Sequence, residues 1–217
     1  MGKDIKILVF GNSDAYGAWD FEGGWVERLR KTITKKVIET NQKFYCTLYN
    51  LSISGNTTGN LLKRFEFETK DRVDENEDVI IVFPIGANDT IVDRKGIVWT
   101  APDKFAKNVE KLIKLAQKYA QQIIFISPMP VDEVRTNPVF WDADVSYSNL
   151  RLEKYNEMIK SACVKNNVLF VNIFEELIKS DYKNLLEDGV HPNTDGHKRI
   201  FEEVKKFLGE NNVLPPL

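Results

Sequence analysis

Val79-Ile80-Ile81-Val82-Phe83 decides the fold. Four of its five residues are β-branched and none is polar. A strand with one wet face alternates apolar and polar residues, so an unbroken run predicts a strand covered on both faces, as in a parallel sheet. Upstream, Ile5-Lys6-Ile7-Leu8-Val9-Phe10 is a similar run closed by Gly11, and Phe44 to Leu51 alternates as a strand does. Downstream, Ile123-Ile124-Phe125-Ile126 stops at Ser127-Pro128, and Val168-Leu169-Phe170-Val171 is the last such run.

Segments of helical period separate these runs. Trp25, Leu29, Ile33 and Val37 recur every four residues. Phe105, Val109, Leu112, Ile113 and Ala116 form a second stripe, Leu152, Tyr155, Ile159 and Ala162 a third, and Ile200, Val204 and Phe207 a fourth. A shorter helix is expected around Leu61, Leu62 and Phe65, after a polar turn from Ser52 to Asn60. Strands alternating with helices predict an α/β fold with a five-stranded parallel sheet and helices on both faces. Right-handed crossovers favour a doubly wound order 2-1-3-4-5. No repeat or low-complexity linker divides the chain, so residues 1–217 are expected to form one domain.

Composition excludes several classes. With 42% hydrophobic and 29% charged residues, the chain is ordinary for a globular protein. Its net charge of -2 comes without a basic stripe and gives no reason to expect nucleic acid. Two cysteines, Cys46 and Cys163, exclude a disulfide framework and a cysteine-rich zinc site; no metal or other cofactor is expected. Met1 to Lys6 lacks the features of a signal peptide or a myristoylation signal, and no apolar run reaches membrane-spanning length. The expected location is cytoplasmic, without stable membrane insertion.

In such a sheet, ligands bind beyond the carboxyl ends of the strands. Gly11-Asn12-Ser13-Asp14 follows the first strand, Ser54-Gly55-Asn56 the second and Gly86-Ala87-Asn88-Asp89 the third; Asp188-Gly189-Val190-His191-Pro192 comes well after the fifth. A serine hydroxyl becomes a nucleophile when a histidine, oriented by an acid, takes its proton. Ser13, His191 and Asp188 supply those three types. Ser13 N–H, Gly55 N–H and the Asn88 amide supply donors for an oxyanion. Each segment alone is also an ordinary turn or cap. The chain has two histidines, and His197 shares the apolar face of the last helix, where a half-buried packing role is expected. The phosphate-loop pattern, G-x-G-x-x-G and G-x-S-x-G all fail at Gly11 to Gly17.

These segments resemble the four sequence blocks of the SGNH hydrolases, also called GDSL-type esterases and lipases. Phe10 to Gly17 is similar to the block with the nucleophile, Ser54 to Thr58 to the block with the oxyanion-hole glycine, Gly86 to Asp89 to the block with the oxyanion-hole asparagine, and Asp188 to Pro192 to the block with acid and base. Ser127-Pro128-Met129-Pro130 is also similar to many members. The first block departs from the usual Gly-Asp-Ser-Leu, with Asn12 and Asp14 around the serine.

The resemblance implies a flavodoxin-like three-layer α/β/α sandwich. It also implies a serine esterase acting through an acyl-enzyme on Ser13, with Asp188 and His191 as the acid–base pair. The alternatives are an acyltransferase of the same fold and a non-catalytic ligand-binding module. The expected partner is a small ester: an acyl ester, an acetylated sugar or a lysophospholipid. Asp14, Phe140 and Trp141 are candidate substrate-binding residues. Phe140 and Trp141 lie in the long irregular stretch from Pro128 to Asp144, which reads equally as a binding lid and as a packed surface excursion.

Overall fold

The computed structural model describes residues 4–217. Met1 to Lys3, on which part of the expectation of no targeting segment rests, lie outside them. Five parallel strands, β1 (Ile5–Val9), β2 (Cys46–Asn50), β3 (Asp78–Pro84), β4 (Gln122–Ile126) and β5 (Leu169–Val171), lie in the order β2-β1-β3-β4-β5. Val9, Asn50 and Val82 lie side by side in the pairing, so the first three strands end together at one rim. The expected sheet and order are those observed.

The unbroken apolar runs serve two cores. Ile7, Val9, Ile80, Val82, Ile124 and Ile126 face one side, against Trp25, Leu29 and Ile33 of α2 (Gly24–Glu39) and Ile200, Val204 and Leu208 of α7 (Thr194–Glu210). Leu8, Phe10, Ile81, Phe83 and Phe125 face the other. There they meet α3 (Thr58–Lys70), α4 (Pro102–Ala116) and α5 (Asn149–Asn166). Neighbouring side chains on a strand point to opposite faces, so a strand buried twice must be apolar throughout.

Two short helices escape the sequence pattern: α1 (Ser13–Tyr16), directly after β1, and α6 (Ile173–Ile178), directly after β5. Neither has enough turns to display a stripe. Helix α3 runs for 13 residues, longer than its three apolar markers suggest, and a reciprocal capping box of Thr57 and Asn60 fixes its start. Both cysteines are free and buried, Cys46 in the α2–α7 core and Cys163 in the opposite one, and burial pushes each thiol up to about 12. No helix of the described residues is long and apolar enough to cross a membrane.

Candidate active site

The turn after β1 is fixed by close packing. A Cβ on Gly11 would lie 2.6 Å from Ala15 Cβ and 2.9 Å from Pro84 O, so only glycine fits there. Gly11 N–H donates to Ser52 Oγ (3.1 Å), and Gly11 O accepts from Ile53 N (3.1 Å), which joins the first turn to the second. Asn12 caps α1 by accepting from Asp14 N (3.3 Å). A neutral amide oxygen does this without the charge of the more usual aspartate. Ser13 is thereby the first residue of α1, where a helix leaves the backbone N–H unused.

The chain brings Ser13, His191 and Asp188 together across the rim. His191 Nε2 lies 2.9 Å from Ser13 Oγ, and His191 Nδ1 lies 2.6 Å from Asp188 Oδ2. Asp188 Oδ1 accepts the N–H groups of Val190 (2.9 Å) and His191 (2.8 Å), which folds the turn around its own carboxylate. Burial alone would raise the Asp188 pKa. The hydrogen bond and charge of His191 and the two N–H donors outweigh burial and hold it at about 2. For His191, burial favours the neutral ring, but the Asp188 hydrogen bond and the charges of Asp14 and Asp188 keep its pKa above the ordinary value.

Gly55 and Asn88 lie at two further strand exits, which are joined through the residue after Gly55, Asn56. Gly55 has φ +78 and its Cβ direction faces open space; among the described residues nothing accepts its N–H. Asn88 donates one amide hydrogen to Asn56 O (3.1 Å), while its Oδ1 accepts the Tyr147 hydroxyl (2.9 Å). The amide is thus oriented from both ends and keeps a second hydrogen to give. Asp89 turns away from the site. It accepts the N–H (2.8 Å) and hydroxyl (2.6 Å) of Thr58 and pins the start of α3. Arg64 holds the Gly55 turn from behind through Asn56 Oδ1 (3.0 Å) and Leu51 O (2.7 Å).

The three residues expected to bind substrate have different settings. Asp14 lines a small cavity with Asn12, Trp25, Ala87, Met129 and Ile200, and burial pushes its carboxyl up to about 6. Trp141 lies over His191, with ring centroids 5.8 Å apart. Phe140 stands edge-on to Trp141 and is exposed. His197 is fully buried, not half-buried: its Nδ1 accepts from Trp25 N (3.3 Å), and its Nε2 donates to Ala18 O (3.0 Å). Burial lowers its pKa, which suits a neutral ring bonded on both sides.

Three contributors escape sequence reasoning: Trp19, Tyr147 as a hydrogen-bond partner of Asn88, and Arg64. Trp19 donates from Nε1 to Asp188 Oδ2 (2.8 Å) and stands edge-on to His191. The signal available for it was Gly17 and the Gly23-Gly24 pair, which mark the ends of its loop. Tyr147 carries no local signal, because its partner lies in a distant segment, and Arg64 reads as an ordinary polar residue of α3 although Asn56 is only 8 positions away.

The model of the GDSL-like lipase/acylhydrolase family matches residues 9–199, from the end of β1 into α7. The chain belongs to this family. Its class is therefore that of carboxylic ester hydrolases. An arylesterase of Vibrio mimicus is 24% identical over 204 residues, covering 94% of this chain and 88% of that protein. A GDSL esterase/lipase of Arabidopsis thaliana is 29% identical over 120 residues, 52% of this chain and 38% of its own length. Among solved structures, a lipase/acylhydrolase from Enterococcus faecalis superposes with TM-score 0.70 at 20% identity, covering 95% of this chain and 96% of that one. An acetylxylan esterase from Geobacillus stearothermophilus gives 0.68 at 19%, covering 96% and 94%. At those identities the structures speak for the shared fold.

Proposed function

We propose that this member of the family cleaves a small carboxylic ester through an acyl-enzyme on Ser13. The observation that carries the reading is the continuous contact from Ser13 Oγ to His191 Nε2 (2.9 Å) and from His191 Nδ1 to Asp188 Oδ2 (2.6 Å). His191 takes the Ser13 proton as the oxygen attacks the ester carbonyl, and Asp188 stabilises the imidazolium that forms. Ser13 N–H, Gly55 N–H and the spare Asn88 hydrogen receive the negative charge on the carbonyl oxygen. His191 then protonates the leaving alcohol, and water, deprotonated by the same ring, releases the acid.

Trp141 over His191, with Phe140 against it, and Asp14 next to the nucleophile in the chain are the residues proposed to line the substrate pocket. Aryl esters and acetylated sugars are the first substrates to try, since an arylesterase and an acetylxylan esterase are among the relatives. Both thiols are free, which fits a cytoplasmic setting.

Ser13→Ala is expected to abolish hydrolysis of p-nitrophenyl acetate and labelling by a fluorophosphonate probe. Asn88→Ala should lower kcat by roughly 10²–10³ while leaving the probe site intact. A Ser13→Ala protein that turned over the ester at the wild-type rate would overturn the reading.

A further inference from the structure

The loop between α1 and α2 is a built element. Its neck closes where Gly17 (φ +95) meets Gly24 (φ +80). A Cβ on Gly17 would come within 2.3 Å of Gly23 O, and one on Gly24 within 2.4 Å of Gly17 Cα. On one side of Trp19, Ala18 O is held by buried His197 (3.0 Å). On the other, the Asp20 carboxylate receives Arg28, Gly24 N–H (3.0 Å) and the Thr194 hydroxyl (2.9 Å).

Between these anchors Trp19 itself has φ 65, a left-handed conformation that a bulky side chain rarely adopts. Its side chain is not there for burial, because the residue is 61% exposed. What the loop places is the indole N–H. That group donates to Asp188 Oδ2 (2.8 Å), the same oxygen that faces His191 Nδ1, and lies 3.1 Å from that ring nitrogen as well.

We propose that Trp19 is a positioning residue, which fixes the Asp188 carboxylate and tempers its hold on His191. The proposal rests on the roles given above to Ser13, His191 and Asp188. With Trp19 in place, each oxygen of Asp188 meets two donors: Val190 and His191 N–H on Oδ1, Trp19 and His191 Nδ1 on Oδ2. Four donors leave the carboxylate no freedom to rotate. The indole N–H also draws charge from the oxygen that stabilises the imidazolium. Without it, Asp188 would bind the charged ring more strongly and let it turn more freely.

The direction of the pH effect follows. Removing the N–H favours imidazolium, so His191 stays protonated to higher pH and the acid limb of activity moves up. The other titratable groups around His191 are Glu187 on its own turn, Asp14 from α1, Tyr147 before α5, the Asp20–Arg28 pair of the Trp19 loop, and His197 and Asp195 from α7. None of them changes in the variants below.

The test compares Trp19→Phe with a protein carrying benzothienylalanine at position 19, which keeps the bicyclic shape and lacks the N–H. Both are assayed with p-nitrophenyl acetate across the acid range, beside Ser13→Ala. We expect kcat to fall about ten-fold, as for loss of a hydrogen bond to a charged group. KM should stay within about two-fold, and the acid limb should rise by roughly half a pH unit, less than 1 kcal/mol of interaction with the ring. The benzothienyl protein keeps the ring in place, so the result does not depend on how Trp19→Phe folds. Wild-type kcat with an unmoved acid limb in that protein, Ser13→Ala being inactive, would overturn the role of Trp19 alone. So would a limb that moved down. An active Ser13→Ala would instead remove the underlying mechanism.

Discussion

Asp14 carries a carboxyl into an apolar cavity one residue beyond the proposed nucleophile. Burial disfavours its charged form and Asp188 adds repulsion, while His191 offsets part of both; the balance lies at about 6 against an ordinary 3.8. A carboxyl raised in the folded state gives its full stability below the unfolded value and loses it as pH rises through about 6. Asp14→Asn should therefore raise the unfolding temperature above pH 6, by at most about 3 kcal/mol of stability. That gain should vanish as the pH approaches 4, in a thermal-unfolding series across pH. The same change removes a negative charge beside His191, so the acid limb of kcat/KM should move to lower pH, opposite to the Trp19 variants. The four rim blocks were legible at this scale because each is a short run of residues with special backbone or chemistry. Trp19 and Tyr147 were not, because they act on Asp188 and Asn88 across 169 and 59 positions of chain. Arg64 is only 8 positions from Asn56, but an arginine on a helix carries no mark of the loop atoms it holds.

The long stretch after β4 decides between its two readings at the scale of an element. Val131, Val139, Val145 and Tyr147 form a small core of their own with Ala87, Ile91, Leu152 and Val190. Asp132 N–H donates to Gly189 O (2.9 Å), and Arg135 reaches the carbonyls of Leu186 and Glu187. The stretch is thus an excursion anchored by its buried first residues, Thr136 and Val139, and it clasps the Asp188–His191 turn. Residues 133–135 and most of 137–144 stand in solvent, and of these Trp141, with Phe140 against it, lies beside the site. Replacing both with alanine should raise KM severalfold for an aryl ester and change stability by less than about 0.5 kcal/mol, as for other exposed positions. Steady-state kinetics and a denaturant titration measure the two effects. Composition alone could not reveal this packing, since the anchoring valines are spaced by turns rather than by any helical or strand period. Helices α2, α4, α5 and α7 were legible for the opposite reason: each shows the sheet one continuous apolar stripe.

Across the whole molecule, the strand order followed from four apolar runs, one alternating segment and the handedness of crossovers, so the rim and its contents were legible before the side chains were placed. The molecule should lose stability in acid in a defined window. Asp188, at about 2, and Asp20, held well below the carboxylate range mainly by Arg28 against the opposing effect of burial, are both depressed. A depressed carboxylate stabilises the fold fully above its unfolded value and ceases to do so as pH falls through its folded one. The unfolding temperature is thus expected to fall between about pH 4 and pH 2, and Asp20→Asn should flatten that limb, as calorimetry across pH would show. The sheet also separates two buried thiols, Cys46 on one side and Cys163 on the other. The molecule thereby carries a clock in each of its two cores. A thiol reagent added to the native protein must wait for the layer above its target to open. Equal labelling rates would mean that the sandwich opens as one body; unequal rates would say which slice comes off first.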